Sequence, residues 1–318
     1  MELLATPEDR FDELPNFPYE PQYVDVGGPR MAYVEAGAGE ETFLCLHGEP
    51  TWSFLYRDVI PPLAEAGRVV APDLVGFGRS DKYDDRDAYT FTNHYEWLTT
   101  FVERLDLRNV TLVCHDWGGV LGLPAAVLEF PERISRLVPM NTGLPVAAEM
   151  IDAWWAFRDY MWETRDPPIS TVVSALGDMA SYHDLDEQPT PWTAPVESGD
   201  AGLPLDDAVA RAYDAPFQTA DSKAGARAFP SLVPTDAEME GVDVGRAAIA
   251  ALSEWEKPTF VLYGDDDPIT GVARDALRNR IPGADAGPDV WVEGAGHFLQ
   301  EQRGAEIGRR IAAFARDT

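Results

Sequence analysis

The segment Val113-Cys114-His115-Asp116-Trp117-Gly118-Gly119 holds the carboxylate best placed to do chemistry. Thr111-Leu112-Val113 has the apolar, β-branched character of a buried strand, and residues 118–128 read as the helix after it. Asp116 therefore falls on a sharp strand-to-helix turn. Small neighbours let the backbone bend there, and one side chain is left standing above a sheet edge. A serine at such a turn needs a base to activate it. An ionised aspartate does not, and it can displace a leaving group from saturated carbon to give an alkyl ester. The plainer alternative is a helix cap, with Asp116 accepting backbone N–H bonds from the helix it precedes.

An ester on Asp116 has to be cleared by water, and that calls for a base. Of the five histidines, His297 follows a late strand in the Gly-rich run Glu293-Gly294-Ala295-Gly296-His297-Phe298, which can carry a side chain over the sheet edge. His47 and His115 adjoin turns where backbone and packing contacts account for them, and His94 and His183 lack supporting context. The base needs an acid to set its tautomer and stabilise its charged form. Tyr263-Gly264-Asp265-Asp266-Asp267-Pro268-Ile269 offers three. Asp267, directly before the proline, is taken as the partner, and Asp265 and Asp266 as turn and surface residues. The strand ending at Met140 is followed by Asn141, not an acid.

Two backbone donors are expected to hold the oxyanion of ester hydrolysis. One is Glu49, in His47-Gly48-Glu49-Pro50 after an early strand, and the other is Trp117, directly after Asp116. The Glu49 side chain is open to a salt bridge. The indole of Trp117 is a donor with no acceptor, which suits a departing halide in a dry pocket.

These groups need a scaffold of strands. Residues 31–35, 42–46, 68–74, 134–140, 259–263 and 289–292, with the run into Asp116, read as strands, and residues 54–66 and 95–105 read as helical. Apolar strands alternating with helices specify a mostly parallel sheet covered on both faces. Residues 1–28, rich in proline and aromatics, are expected to wrap over the first strands. The alternation breaks at residues 145–228, where Trp154, Trp155, Phe157, Tyr160, Met161 and Trp162 crowd one helix. A loop at 184–205 rich in Pro, Asp and Gly follows, then a helix at 206–213. Residues 1–144 and 229–318 are thus expected to form the core domain and 145–228 a helical cap, burying part of its aromatic cluster against a substrate.

At 318 residues, 45% hydrophobic and with nine tryptophans, the chain can bury one large core plus an insert. Acidic residues number 55 against 25 basic, a net charge of −30, and only Lys82, Lys223 and Lys257 are lysines. Nucleic acid is excluded as a partner by such a surface. The acid is spread along the chain, which is read as a halophilic surface, since molar salt cuts the screening length to about 3 Å. Apolar stretches are strand-length, too short to span a membrane, and the first residues lack the basic start and apolar run of a leader. A cytoplasmic monomer or weak homo-oligomer is expected. Cys45 and Cys114 fall on strands expected to be neighbours and are read as reduced core residues without a catalytic part.

The chain resembles haloalkane dehalogenases, in particular the subfamily with Glu in an HGEP motif and a halide-binding tryptophan in the cap. The likeness rests on Thr6-Pro7-Glu8-Asp9-Arg10-Phe11, on Leu46-His47-Gly48-Glu49-Pro50-Thr51-Trp52 through Arg57, and on Gly76-Phe77-Gly78-Arg79-Ser80-Asp81-Lys82. Asp116-Trp117-Gly118-Gly119, Ala215-Pro216-Phe217 and Gly294-Ala295-Gly296-His297-Phe298 complete it. It implies an α/β-hydrolase fold, with a mostly parallel eight-stranded sheet and an inserted helical cap. It further implies hydrolysis of haloalkanes to alcohol, halide and proton through an aspartyl alkyl ester. Asp116 is then the nucleophile, His297 the base, Asp267 its partner, Glu49 and Trp117 the oxyanion donors and Trp117 a halide donor. Val120, Phe217 and Ile269 fall where the family lines its pocket. The implied partners are a small haloalkane, water and the halide product, and no metal or organic cofactor is implied.

One departure concerns the second halide donor. The family pattern aromatic-x-x-Trp reads Trp154-Trp155-Ala156-Phe157 here, putting Phe157 at the tryptophan position. Trp154 shares its helix face one turn earlier and is the candidate substitute donor; the alternative is that the second donor is absent, a Phe edge being a weaker halide partner than an indole N–H. The stretch 189–202 is longer than the family's, and it bears on the entrance. An epoxide hydrolase shares the Asp-His-Asp set and needs cap tyrosines, for which Tyr160, Tyr182 and Tyr213 are available; the Glu49 form of the motif favours the dehalogenase. A non-catalytic ligand receptor on the same fold is the third reading, opposed by the intact Asp116, Asp267 and His297.

Overall fold

The apolar runs meet in one sheet. In the computed structural model, which describes residues 2–150, 152–177, 205–267 and 269–318, β1 (Pro21–Asp25), β2 (Arg30–Ala36), β3 (Thr42–Leu46), β4 (Arg68–Pro72), β5 (Val110–His115) and β6 (Ile134–Met140) lie in the order β1-β2-β4-β3-β5-β6. β1 and β4 pair antiparallel to β2, and the β4–β3, β3–β5 and β5–β6 pairs are parallel. β3 and β5 are buried along their whole lengths, as central strands covered on both faces must be.

Beyond β6 the sheet continues. Phe260 N donates to Leu137 O at 2.8 Å and Leu262 N to Pro139 O at 3.0 Å. The same run leads into β7 (Tyr263–Gly264), which pairs in parallel with β8 (Trp291–Val292). The regular ladders here are shorter than residues 259–263 and 289–292. Pro139, within β6, has no N–H to give to Phe260 O, so the pairing of residues 259–262 with β6 stays irregular and Thr259 makes an isolated bridge to Leu137. The result is the mostly parallel, eight-stranded architecture.

Local chemistry sets the helix limits. The expected helix at 54–66 divides into a 3₁₀ turn, Ser53–Tyr56, and α1 (Ile60–Ala64). Pro61 and Pro62 supply no N–H, so they fit a first helical turn and not a helix interior. α2 (Phe91–Arg104) starts a turn before residue 95 because Thr90 Oγ1 accepts the Asn93 N–H at 3.1 Å. α3 (Trp117–Pro124) follows β5 and runs into a wider turn to Glu129. Between β6 and β7 come α4 (Asp152–Glu163), α5 (Ile169–Gly177), α6 (Asp207–Asp214), α7 (Ala224–Ala228) and α8 (Val242–Ser253). The Asp206 side chain caps α6 through the Ala208 and Val209 N–H groups at 3.0 and 2.9 Å. α9 (Arg274–Arg280) and α10 (Leu299–Asp317) complete the set.

On α4, Trp154, Phe157 and Met161 are buried at i, i+3 and i+7, while Trp162 is exposed beneath the Arg86 guanidinium, 3.6 Å from the ring centre. Tyr182, His183, Pro268 and most of the long stretch at 184–205 lie outside the described residues. Leu3–Leu4 pairs antiparallel with Lys82–Tyr83, consistent with a wrapping N-terminal segment. The edge strand β1 within that segment is an addition to the sequence reading: it is exposed along much of its length, so its sequence lacks an apolar period. Across β3 and β5, Cys45 sits opposite Val113 and Cys114 opposite Leu46; both thiols are buried and free. No helix among the described residues is long and apolar enough to cross a membrane.

Candidate active site

Asp116 stands at the turn between β5 and α3 with φ 50° and ψ −124°, backbone that L residues rarely adopt. The surroundings enforce it. Asp116 N donates to Asn141 O at 3.1 Å, and Asp116 O accepts from Gly119 N (2.9 Å), Val120 N (3.1 Å) and Thr142 Oγ1 (2.6 Å). Two glycines are needed for close approach. A Cβ on Gly48 would lie 2.2 Å from Asp116 Oδ1, and one on Gly118 would lie 2.3 Å from Leu46 O. The Asp116 side chain makes no capping bond to α3. It turns instead toward the other candidate residues: Oδ1 accepts the Glu49 N–H at 2.8 Å, and Oδ2 lies 3.6 Å from His297 Nε2.

His297 is 2% exposed, and its Nδ1 meets Asp267 Oδ1 at 3.2 Å. Asp267 also accepts the Ile269 N–H at 3.0 Å and the Thr270 hydroxyl, so its carboxylate is fully engaged. Asp265 and Asp266 are exposed, and Asp265 Oδ1 accepts the Gly294 N–H at 2.7 Å, an arrangement that holds the turn.

The histidine loop is held by residues to which the sequence reading gives no role. Asn141 Nδ2 donates to both Gly296 O and His297 O at 2.8 Å, and its Oδ1 accepts the Gly264 N–H at 2.9 Å. His115 Nε2 lies 2.8 Å from His297 O and must carry the hydrogen, since a carbonyl only accepts. In the sequence Asn141 registers only as the absence of an acid. Its place at the end of β6, next to the strand that carries Asp267, is the available signal.

The charges are coupled. Burial disfavours the His297 imidazolium, but the carboxylates of Asp267 and Asp116 on either side outweigh it and push its pKa up to about 10. Burial likewise opposes ionisation of Asp116, yet His297 and the Trp117 N–H hold its pKa below the usual carboxylate value. Asp267 behaves the same way through His297, Thr270 and Ile269. Glu49 is the exception: burial first, then the Asp116 charge, raises its pKa well above the ordinary value. Its Oε1 is buried without a hydrogen-bond partner, and its carboxyl makes no salt bridge among the described residues. Burial, with the His297 charge second, lowers His115 to about 4 and keeps it neutral.

Asp116, His297 and Glu49 open onto a cavity of about 370 Å³. Trp117, Val120, Trp154, Phe157 and Ile269 line it, with an otherwise mostly apolar wall that includes Leu144, Val146, Leu176 and Val233. Phe217 is a correction to the sequence reading. It is buried outside the lining, packed edge-on against Phe77 with ring centres 6.3 Å apart. Neither Tyr160 nor Tyr213 lines the cavity, and the Tyr213 hydroxyl donates to Glu301. Among the described residues no group of three or more His, Cys, Asp or Glu side chains is arranged to hold a metal ion. What remains is a buried carboxylate facing an imidazole, a second carboxylate on the far side of that ring, the Glu49 N–H bonded to the first carboxylate, and indoles in an apolar chamber.

Comparison with known proteins bears on this arrangement. The family described as alpha/beta hydrolase fold matches residues 41–303. The chain is 41% identical over 329 residues to Haloalkane dehalogenase 1 of Mycobacterium tuberculosis, covering 100% of both. It is 36% identical to a haloalkane dehalogenase of Psychrobacter cryohalolentis, over 100% of this chain and 99% of that one. Its structure is similar to that of haloalkane dehalogenase DpaA from Paraglaciecola agarilytica NO2, described as tetrameric. The TM-score is 0.84 and the identity 38%, over 98% of this chain and 97% of that one.

Proposed function

The chain belongs to the haloalkane dehalogenase family, on the α/β-hydrolase fold, and from that premise we propose how its residues divide the work of hydrolysing a carbon–halogen bond. The enzyme converts haloalkane and water to alcohol, halide and a proton. The observation that carries the assignment of roles is the pair of environments on one carboxylate: Asp116 Oδ1 sits on the Glu49 N–H, while Oδ2 faces His297 and the cavity.

Asp116 Oδ2 attacks the halogen-bearing carbon. A C–O bond forms as the C–X bond breaks, and the halide leaves with the electron pair toward the Trp117 indole. Oδ1 is then the carbonyl oxygen of the ester. Water adds to Cγ while His297 Nε2 takes its proton. The negative charge that develops on Oδ1 is met by the Glu49 and Trp117 N–H groups, already in place before the reaction begins. Collapse expels the alkoxide, which takes the proton of the Cγ hydroxyl to give the alcohol and the Asp116 carboxylate, and the proton held on His297 passes to solvent. Asp267 holds the imidazole tautomer, and Asn141 and His115 hold its loop. Residues 145–228 act as the cap over a core of 1–144 and 229–318.

Trp154 is the second halide donor, standing in for the indole that Phe157 lacks; both face the cavity from α4. Losing one hydrogen bond to a charged group costs about 1.5–3 kcal/mol, so Trp154→Phe raises the bromide dissociation constant about tenfold or more. Quenching of the remaining indole fluorescence by bromide measures this, and an unchanged constant removes Trp154 from the site.

An epoxide hydrolase needs tyrosine hydroxyls facing the nucleophile, and none among the described residues lines this cavity. Halide release from 1-bromobutane and 1,2-dibromoethane, assayed beside epoxide opening, tests the function directly; epoxide opening without halide release would reject it. The net charge of −30 supports a halophilic surface. Accordingly, both the melting temperature and halide release rise between dilute and molar KCl, and a flat response in both would remove that reading.

A further inference from the structure

Two buried side chains from distant parts of the chain meet a third, Glu301, on the first turn of α10 and four residues after His297. Arg57 Nη1 and Nη2 each donate to the Glu301 carboxylate at 2.5 Å, and the Tyr213 hydroxyl donates to Oε1. Arg57 is 6% exposed, Tyr213 0% and the Glu301 side chain 3%. Arg57 ends the segment that begins with the oxyanion donor Glu49. Tyr213 belongs to α6, which the same segment also grips: the Trp52 indole donates to Ala212 O at 3.1 Å, and Phe54 meets the Tyr213 ring edge-on with centres 5.4 Å apart. A buried ion pair is expensive to desolvate and often no more stabilising than well-packed apolar residues of the same size. Stability alone therefore does not account for three polar groups at this junction.

We propose that Tyr213 is a positioning residue through which the cap orients the catalytic base, acting on Glu301 and thereby on the loop that carries His297. This rests on the assignment of His297 as the base. The two half-reactions depend on this junction unequally. Asp116 is set chiefly by the turn between β5 and α3, through its bonds to Asn141 O, Gly119 N, Val120 N and Thr142 Oγ1, which do not pass through the Glu301 junction, so its attack on carbon depends on that junction less. His297 lies just before the helical turn that Glu301 anchors, and its Nε2 must meet a water beside the ester. A shift of a fraction of an ångström there slows water activation strongly.

The test uses the full-length enzyme with 1-bromobutane in rapid-quench mixing, following bromide and butanol separately. Tyr213→Phe keeps the ring against Phe54 and removes only the hydroxyl. It slows butanol formation about tenfold and leaves the bromide burst within about twofold of the parent. Intact-mass spectra then show the butyl ester accumulating on Asp116 during turnover. Glu301→Gln, which leaves Tyr213 and Arg57 in place, slows the same step and carries the comparison should the first variant fold poorly. Equal slowing of both half-reactions, or unchanged kinetics with only a lower melting temperature, overturns the proposal. His297→Phe run alongside separates the two claims. If it traps no ester, the assignment of the base fails; if it traps ester while Tyr213→Phe hydrolyses normally, only the coupling fails.

Discussion

His297→Phe releases about one halide per active site and then stops, with the alkyl group of the substrate trapped on Asp116. The first half-reaction needs only the carboxylate, whose position is set by β5, Asn141 and the Glu49 N–H. The second needs a proton acceptor near the ester, and Asp116 has no other imidazole within reach of its Oδ2 among the described residues. General-base catalysis contributes about 10²–10⁴-fold, so steady-state turnover falls by that order while the burst persists. Quantifying halide in the burst and locating the mass increase on the peptide containing Asp116 checks both parts. Continued turnover at a rate near the parent's would remove His297 from its role. In the parent, esterification takes away one of the two carboxylates that hold the His297 proton. The imidazole pKa therefore falls when a base is required, and the rate of ester hydrolysis rises with pH through that lowered value.

Asp116→Asn releases no halide, even in a single turnover, because a carboxamide oxygen carries no charge with which to attack saturated carbon. A loss of about 10⁴-fold or more is expected, comparable to removal of a nucleophile in other covalent mechanisms. The variant also mimics the charge of the ester intermediate. With the Asp116 charge gone and the Asp267 carboxylate still on Nδ1, His297 titrates below the parent value of about 10. A folded-state imidazole pKa above the unfolded value of about 6.5 contributes stability that is fully present below the unfolded value and lost as pH rises through the folded one. The Asp116→Asn substitution lowers the upper end of that window. An NMR titration of His297 measures the shift, and an unchanged midpoint would mean that Asp116 and His297 are not electrostatically coupled.

How much of this is legible in the sequence differs by element. The central strands are, because β3 and β5 are buried on both faces and write themselves as unbroken apolar runs. The edge strand β1 is not: exposed along much of its length, it has no apolar period. The early start of α2 rests on one hydroxyl cap, and the break before α1 on two adjacent prolines, local signals weaker than the apolar period around them.

At the site, the elbow around Asp116 and the glycines beside it are visible in the chain alone, because a sharp turn admits few residue types and their spacing is local. The choice of Asp267 over its two neighbours becomes concrete only in three dimensions, where it alone of the three is buried against His297. Asn141, His115, the displacement of Phe217 from the cavity and the grip of Tyr213 on Glu301 were decided by tertiary structure. Tyr213 and Glu301 lie 88 residues apart, and nothing in either neighbourhood specifies the other. Short-range order is encoded in which residues follow one another. A hydrogen bond between distant segments exists only once the sheet has brought their ends to the same edge.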